Sequence, residues 1–355
     1  MQIQATNYQV LFGSDSFSAL SQHISKQGYS KIVLLVDENT AQHCLNYVLQ
    51  WLAVDVSFEI IEIEAGEENK TIETCTAVWE SLIELQIDRK ALLMNIGGGM
   101  VCDLGGFVAA TYKRGIDFVN IPTTLLSMVD ASVGTKTGVN LGGLKNMVGS
   151  FAAPQMVLID TAFLDTLPGN EMRSGLAEMY KHGLIADASY WKQLQHLEEL
   201  TTDDLLLLIY HSVSIKNEIV QQDPLEKNLR KLLNFGHTLG HVIETYSHSG
   251  KGIKPLLHGE AIAIGMVLEA YISYQKGILN QSAYNEIKQT LNLIFESVVF
   301  TKNDIEICTH LLIHDKKNEN GNICFTLLAD IGKGVVNQSV ESELVIQAFN
   351  GYMSS

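Results

Sequence analysis

Over the first ~160 residues, short apolar runs alternate with amphipathic segments, which restricts the fold more than any other feature. KIVLLVD (31–37) reads as a buried strand ending in an acid, and VSFEIIEIE (56–64) alternates with the period of a strand. ALLMNIGGG (91–99) is a strand running into glycines, and FVNIP (118–122) and MVLID (156–160) are two more. Helical spacing falls between them, as over 69–86. Strands that alternate with helices argue for a parallel sheet covered by helices. After Pro168 the character changes. Segments 170–186, 203–222, 227–247 and 258–276 all carry helical spacing, with breaks at Asp223-Pro224 and in the polar loop 247–257. The expected fold class is an α/β N-terminal domain with a Rossmann-like parallel sheet over 1–165. A mainly α-helical C-terminal domain would follow over 166–355. The chain has 355 residues, 46% hydrophobic and only 18% charged, enough apolar mass for both cores.

Charge narrows the partners. With 24 basic against 40 acidic side chains the formal charge is −16. That disfavours nucleic acid, whose phosphates need a dominant basic field, and it disfavours anionic lipid. A small pocket can still be basic inside an acidic protein. The N-terminus (MQIQATNYQVLFG) has no signal-peptide pattern, and the densest apolar run, LLLLIY at 205–210, is far short of a membrane span. Five scattered cysteines without a C-x-x-C pair argue against a disulfide framework or a cysteine zinc site. A cytoplasmic protein with no membrane partner is expected.

Three groups of residues carry possible chemistry. Gly97-Gly98-Gly99 joins a strand to a helix-like segment through Asp103, Gly105 and Gly106, a geometry that lets backbone N–H groups approach a pyrophosphate. GGGMVCDLGG is not the G-x-G-x-x-G fingerprint, and a tight turn with close helix packing explains the glycines equally well. Asp37 at the end of the first strand could hold ribose hydroxyls, or be a solvated strand end. The second group is LLNFGHTLGHVIE, with His237 and His241 on one helical face, together with His258 in HGEAIAIGM and Glu178 in GLAEMYKHG. One glutamate and two histidines can hold a catalytic zinc with an open position, although His182, four after Glu178, competes. The third group is a basic set, Lys113, Arg114, Lys136, Lys145 and Lys181, with Lys216, Arg230 and Lys231 beyond. Each alone reads as a surface charge; together, in glycine-rich surroundings, they would suit a phosphate and a carboxylate.

These segments resemble the 3-dehydroquinate synthase family of the shikimate pathway, nearly end to end. The resemblance is carried by GEENK (66–70), GGGMVCDLGGFVAATYKRG (97–115), IPTTLLSMVDASVGTKTGVN (121–140) and KNMVGSF (145–151). It continues through GLAEMYKHG (175–183), LLNFGHTLGH (232–241), HGEAIAIGM (258–266) and DKK (315–317). It implies zinc or cobalt on Glu178, His237 and His258, with His241 a catalytic neighbour. NAD would contact Asp37, Glu67, Lys70, Gly98, Gly99, Asp103, Thr123, Thr124, Lys136 and Lys145, with Phe163 and Thr166 near the adenine end. Catalytic and substrate contacts would be Arg114, Asp130, Lys136, Asn146, Lys181, Lys216, Arg230, Asn234 and either Lys316 or Lys317. Departures from the family pattern are Ala65, Met100, an added residue in VNLGGLKN and the long spacing from His237 to His258. The implied reaction converts an anionic sugar phosphate, 3-deoxy-D-arabino-heptulosonate 7-phosphate, to 3-dehydroquinate and phosphate, in a homodimer. A related sugar phosphate cyclase and an NAD- and metal-dependent polyol dehydrogenase are the alternatives.

Overall fold

The computed structural model describes residues 1–52, 54–142, 144–196, 201–250, 252–314, 318–319 and 322–354. Two compact units form, one from Met1–Pro168 with Thr201–Asn217, the other from Gly169–Leu200 with Glu218–Ser355.

In the first unit the strands are β1 (Gln2–Gln4), β2 (Gln9–Phe12), β3 (Ile32–Asp37), β4 (Phe58–Ile63), β5 (Leu92–Gly97), β6 (Asp117–Pro122), β7 (Lys136–Leu141), β8 (Leu144–Phe151) and β9 (Met156–Ile159). The helices are α1 (Ser16–Gln27), α2 (Glu38–His43), α3 (Leu45–Trp51), α4 (Ile72–Glu84) and α5 (Gly99–Thr111). Seven strands make one sheet in the order β1-β2-β9-β6-β5-β3-β4, parallel except where β1 meets β2. Every residue of β3 and β5 is buried, as expected of apolar runs covered on both faces. On one face Val33, Leu35, Ile61 and Leu93 pack with Val78 and Leu82 of α4 and Val101, Leu104 and Val108 of α5. Gly105 is where α5 presses closest: a Cβ there would stand 2.0 Å from Asn95 Oδ1. β7 and β8 form a separate antiparallel hairpin. Lys145 and Asn146, read from sequence as part of a glycine-rich loop, lie on its second strand. Glycines and polar residues inside that strand hide its period.

The second unit contains α6 (Gly169–Ala186) and α7 (Ala188–Leu194), and α8 (Thr202–Gln222) ends in it. It continues with α9 (His237–Ser247), α10 (His258–Gln275), α11 (Gln281–Ile294) and α12 (Lys302–His314). Then come β10 (Asn318–Glu319), β11 (Asn322–Asp330), β12 (Lys333–Val340) and α13 (Ser342–Met353). α10 is apolar and buried on nearly all sides, the pattern of a central helix. It packs on α6, α9, α11 and α13. One sequence expectation needs correction. The helix expected over 227–247 is two pieces, a 3₁₀ turn at Leu229–Asn234 and then α9, because Gly236 takes φ +79° and reverses the backbone. The helical unit also holds a three-stranded antiparallel sheet, β10-β11-β12. Among the described residues no helix is long and apolar enough to cross a membrane.

Candidate metal centre and dinucleotide cradle

Three helices of the second unit bring their polar residues together. α6 carries Glu178 and, one turn on, Lys181; α9 begins with His237 and carries His241 a turn later; α10 begins with His258. Glu178 is wholly buried. Its Oε1 lies 3.4 Å from Nε2 of both His237 and His258, and the Lys181 ammonium forms an ion pair with Oε2. Neither carboxylate oxygen completes a hydrogen bond of good geometry. Two imidazole nitrogens and a carboxylate oxygen therefore face one point without satisfying each other. That is the donor set and the arrangement a Zn²⁺ or Co²⁺ ion fits. His241 adds a third ring, its centroid 5.1 Å from that of His237 and 5.8 Å from that of His258. One ligand atom each of His237, His241 and His258 lies within 4.8 Å of the others. His182, buried, likewise offers a ring nitrogen within 4.8 Å of a Glu178 oxygen, so it too is within ligand reach.

Electrostatics favour ligand-ready forms for two of the three. Burial would raise the Glu178 pKa, but the Lys181 ammonium and His237 outweigh it and hold the carboxyl well below its usual range. Burial pushes the His237 imidazole down, and Lys181 adds to the effect, which favours its neutral form. His258 goes the other way. Burial opposes its charge, yet the neighbouring Glu178 and Glu244 carboxylates raise it to about 9.

Two glutamates that sequence reasoning missed lie behind these histidines. Glu244 Oε2 stands 3.3 Å from His258 Nδ1. Glu269, buried on α10, accepts from the N–H groups of Gly236 (2.7 Å) and Leu239 (3.1 Å), capping the start of α9 from a neighbouring helix. The spacing of Glu244, two turns after His237 on one face, was its only local signal. Glu269 had none, sitting in an apolar run. Elsewhere in this unit Arg230, buried, donates to the Pro224 carbonyl (2.8 Å), and Asn234 donates to Glu226 Oε1 (2.7 Å). Lys316 and Lys317 lie outside the described residues.

The first unit gathers a second set. Gly98 is the N-cap of α5 without a side-chain cap, so the first N–H groups of a 13-residue helix are open to an anion. Thr124 lines the approach: a Cβ on Gly98 would come within 3.2 Å of its methyl group. Thr123, buried, donates its N–H to the Gly97 carbonyl. Lys70, buried, donates to Asp103 Oδ2 (2.6 Å) and Asn146 Oδ1 (2.7 Å), with Glu67 Oε1 4.0 Å away. Asn140 ties this group together, donating to Glu67 Oε1 (3.1 Å) and accepting from the Asn146 N–H (2.9 Å). Burial raises the Asp103 pKa, opposed by the Lys70 ammonium and, more weakly, by Lys216. Lys216 in turn donates to the carbonyl (2.5 Å) and Oδ1 (2.6 Å) of Asp130, which sits in a π-helical turn. π-turns of this kind are frequent at functional sites.

Asp37 is neither a bare strand end nor fully available: its Oδ1 accepts from the Thr40 N–H (2.8 Å) and caps α2. Phe163 is buried with its ring edge-on to Tyr47 at 5.3 Å, and Thr166 is exposed at the end of the 3₁₀ turn Thr161–Thr166 that holds both. Arg114, Lys136 and Lys145 are exposed. Lys113 and Arg114 both take left-handed backbone, φ 48° and 68°, a strain that clusters at working sites.

Comparison with known proteins fits this arrangement. Residues 60–174 match the family model for the 3-dehydroquinate synthase N-terminal region, and residues 175–318 match that for its C-terminal region. A 3-dehydroquinate synthase of Parabacteroides distasonis is 39% identical over 348 residues, spanning 98% of each chain. Among solved structures, 2-deoxy-scyllo-inosose synthase complexed with carbaglucose-6-phosphate, NAD⁺ and Co²⁺ superposes with TM-score 0.85 at 25% identity, covering 99% of each chain. The 2-epi-5-epi-valiolone synthase of Streptomyces hygroscopicus, with NAD⁺ and Zn²⁺ bound, superposes with TM-score 0.82 at 27% identity, over 99% of this chain and 98% of that one. With both family models matched in order and a relative aligned end to end, the chain belongs to the 3-dehydroquinate synthase family.

Proposed function

We propose that this chain converts 3-deoxy-D-arabino-heptulosonate 7-phosphate to 3-dehydroquinate and phosphate, with NAD and a divalent metal as resident cofactors. The observation that carries the reading is Glu178, a buried carboxylate with no completed hydrogen bond, facing His237 and His258 and paired with the buried Lys181. Glu178, His237 and His258 would hold the metal. The open start of α5 at Gly98–Gly99, with Thr123, Thr124, Lys70, Asp103 and Lys145, would hold the NAD diphosphate and nicotinamide riboside; Asp37, Glu67, Phe163 and Thr166 would take the rest. When bound, NAD supplies reversible hydride acceptance at a ring hydroxyl, and Zn²⁺ or Co²⁺ a Lewis acid beside it.

The chain's own residues bind, orient and move protons. Lys181, Lys136, Arg114, Arg230 and Lys216 would neutralise the substrate's phosphate and carboxylate, and Asn146 and Asn234 would fix its hydroxyls. Asp130, whose Oδ1 accepts from Lys216, would hold a proton, and His241 would pass one. A carboxylate and several cations set in advance do this at little reorganisation cost. The reading includes a cytoplasmic location, consistent with five free cysteines. It includes a homodimer, consistent with the apolar side chains exposed along the β7–β8 hairpin, Leu141, Leu144, Met147 and Phe151.

The test is product identification by NMR after incubation with NAD, zinc and one of three substrates. The heptulosonate phosphate should give dehydroquinate. Turnover only of another phosphosugar would make the chain a different sugar phosphate cyclase. Steady NADH formation from a simple polyol would make it a dehydrogenase, which has no use for the basic set.

A further inference from the structure

Each histidine that faces Glu178 has its far nitrogen engaged, but by different means. His237 Nδ1 lies 3.1 Å from the carbonyl of Phe235, two residues back in its own chain segment. His258 opens α10 directly after the 247–257 segment, and its side chain is 25% exposed, so its own helix holds it on one flank only. What reaches it is Glu244, a carboxylate 2% exposed on α9, with Oε2 3.3 Å from His258 Nδ1. A buried acid on a packed helix face is costly unless it is bonded. We propose that Glu244 is a positioning residue of the metal centre. By accepting the Nδ1–H of His258 it fixes the ring's tautomer and rotation, so that Nε2 points at the metal beside Glu178. It also strengthens that nitrogen as a donor, since a carboxylate behind an imidazole makes the ring more basic. Glu244 itself is on the wrong side of the ring to be a ligand. The inference rests on the reading of Glu178, His237 and His258 as ligands.

It is tested on the full-length protein by zinc dissociation constants from chelator competition and by the visible spectrum of the Co²⁺-loaded form. Wild type is compared with Glu244→Ala, Glu244→Gln and Asp304→Asn. Asp304 is the control, a buried acid that also bonds α9, through Tyr246. Glu244→Ala should raise the zinc Kd about 10- to 100-fold and alter the Co²⁺ spectrum, with NAD affinity unchanged. Glu244→Gln, which keeps an acceptor, should lose less. Asp304→Asn should lower the unfolding midpoint but keep the wild-type Kd and spectrum. Wild-type metal binding in Glu244→Ala overturns the inference. So does a Glu244→Gln no better than Ala, or an Asp304→Asn that loses metal as far as Glu244→Ala does. A wild-type protein that takes up neither metal overturns the ligand reading itself, and the inference with it.

Discussion

At Glu178, burial and charge oppose each other, and charge wins because a lysine and two histidines sit around one carboxylate. Replacing it with glutamine keeps the shape and removes the charge. Glu178→Gln should lower metal affinity and activity together, each by at least about 100-fold, while leaving NAD binding close to wild type. Metal content by atomic emission and NAD titration by fluorescence check both halves; a variant that keeps full metal occupancy would show that the ligand is elsewhere. A second residue-scale prediction concerns pH. Burial would raise the Asp304 pKa, but the Tyr246 hydroxyl and the Thr301 N–H and hydroxyl all donate to it and hold it below the ordinary carboxylate range. A carboxyl depressed on folding adds stability that is present above its unfolded pKa and lost as pH falls through the folded one. Tyr246→Phe should therefore cost about 1–3 kcal/mol in urea unfolding at pH 7, and the gap to wild type should narrow below about pH 4. An equal gap at pH 7 and pH 3 would contradict that assignment.

Between elements, the spacing of the proposed ligands His237 and His258 depends on how closely α9 lies on α10. A Cβ on Gly265 would stand 2.0 Å from the Gly236 carbonyl and 2.8 Å from the Gly240 nitrogen, both backbone atoms that cannot swing aside. Gly265→Ala should push the helices apart, destabilise the fold by about 1–3 kcal/mol or more, and weaken zinc binding, because His237 and His258 each open one of the two helices. Denaturant unfolding and chelator competition read the two effects; an unchanged zinc affinity would mean that helix spacing does not set the ligands. The same elements mark what the sequence makes legible. β3, β5 and α10 stand out because burial on every side demands uninterrupted apolar runs. His237 and His241 stand out as histidines one turn apart on a helical face, and His258 through the segment that carries the family resemblance. The β7–β8 hairpin does not, since its glycines and exposed residues obscure a strand pattern. Nor does the break at Gly236, where a positive φ depends on packing against α10 rather than on neighbours in sequence. The roles of Glu244 and Glu269 become legible in three dimensions, because each acts on a helix other than its own.

For the whole molecule, a net charge of −16 opposes an anionic substrate, and the answer lies in placement. Lys70, Lys181, Lys216 and Arg230 are buried, where screening is weak and a cation acts strongly on what binds beside it. Of the basic set read from the sequence, Lys181, Lys216 and Arg230 are buried, whereas Lys113, Arg114, Lys136 and Lys145 are exposed. Resident cofactors also bear on stability. Zinc at about 100 times its Kd should stabilise the folded chain by about 2.7 kcal/mol, and chelation should lower the thermal midpoint correspondingly. A midpoint indifferent to chelator would argue that no metal is held. The most direct measurement is a paired count of phosphate released and NADH present, in one reaction started with the heptulosonate phosphate, zinc and NAD at the enzyme's own concentration. Phosphate should exceed the NAD supplied many-fold while no NADH accumulates, because the hydride taken is returned in each turnover. Phosphate that stops at one equivalent of NAD while NADH builds up, or phosphate that never appears, would contradict it.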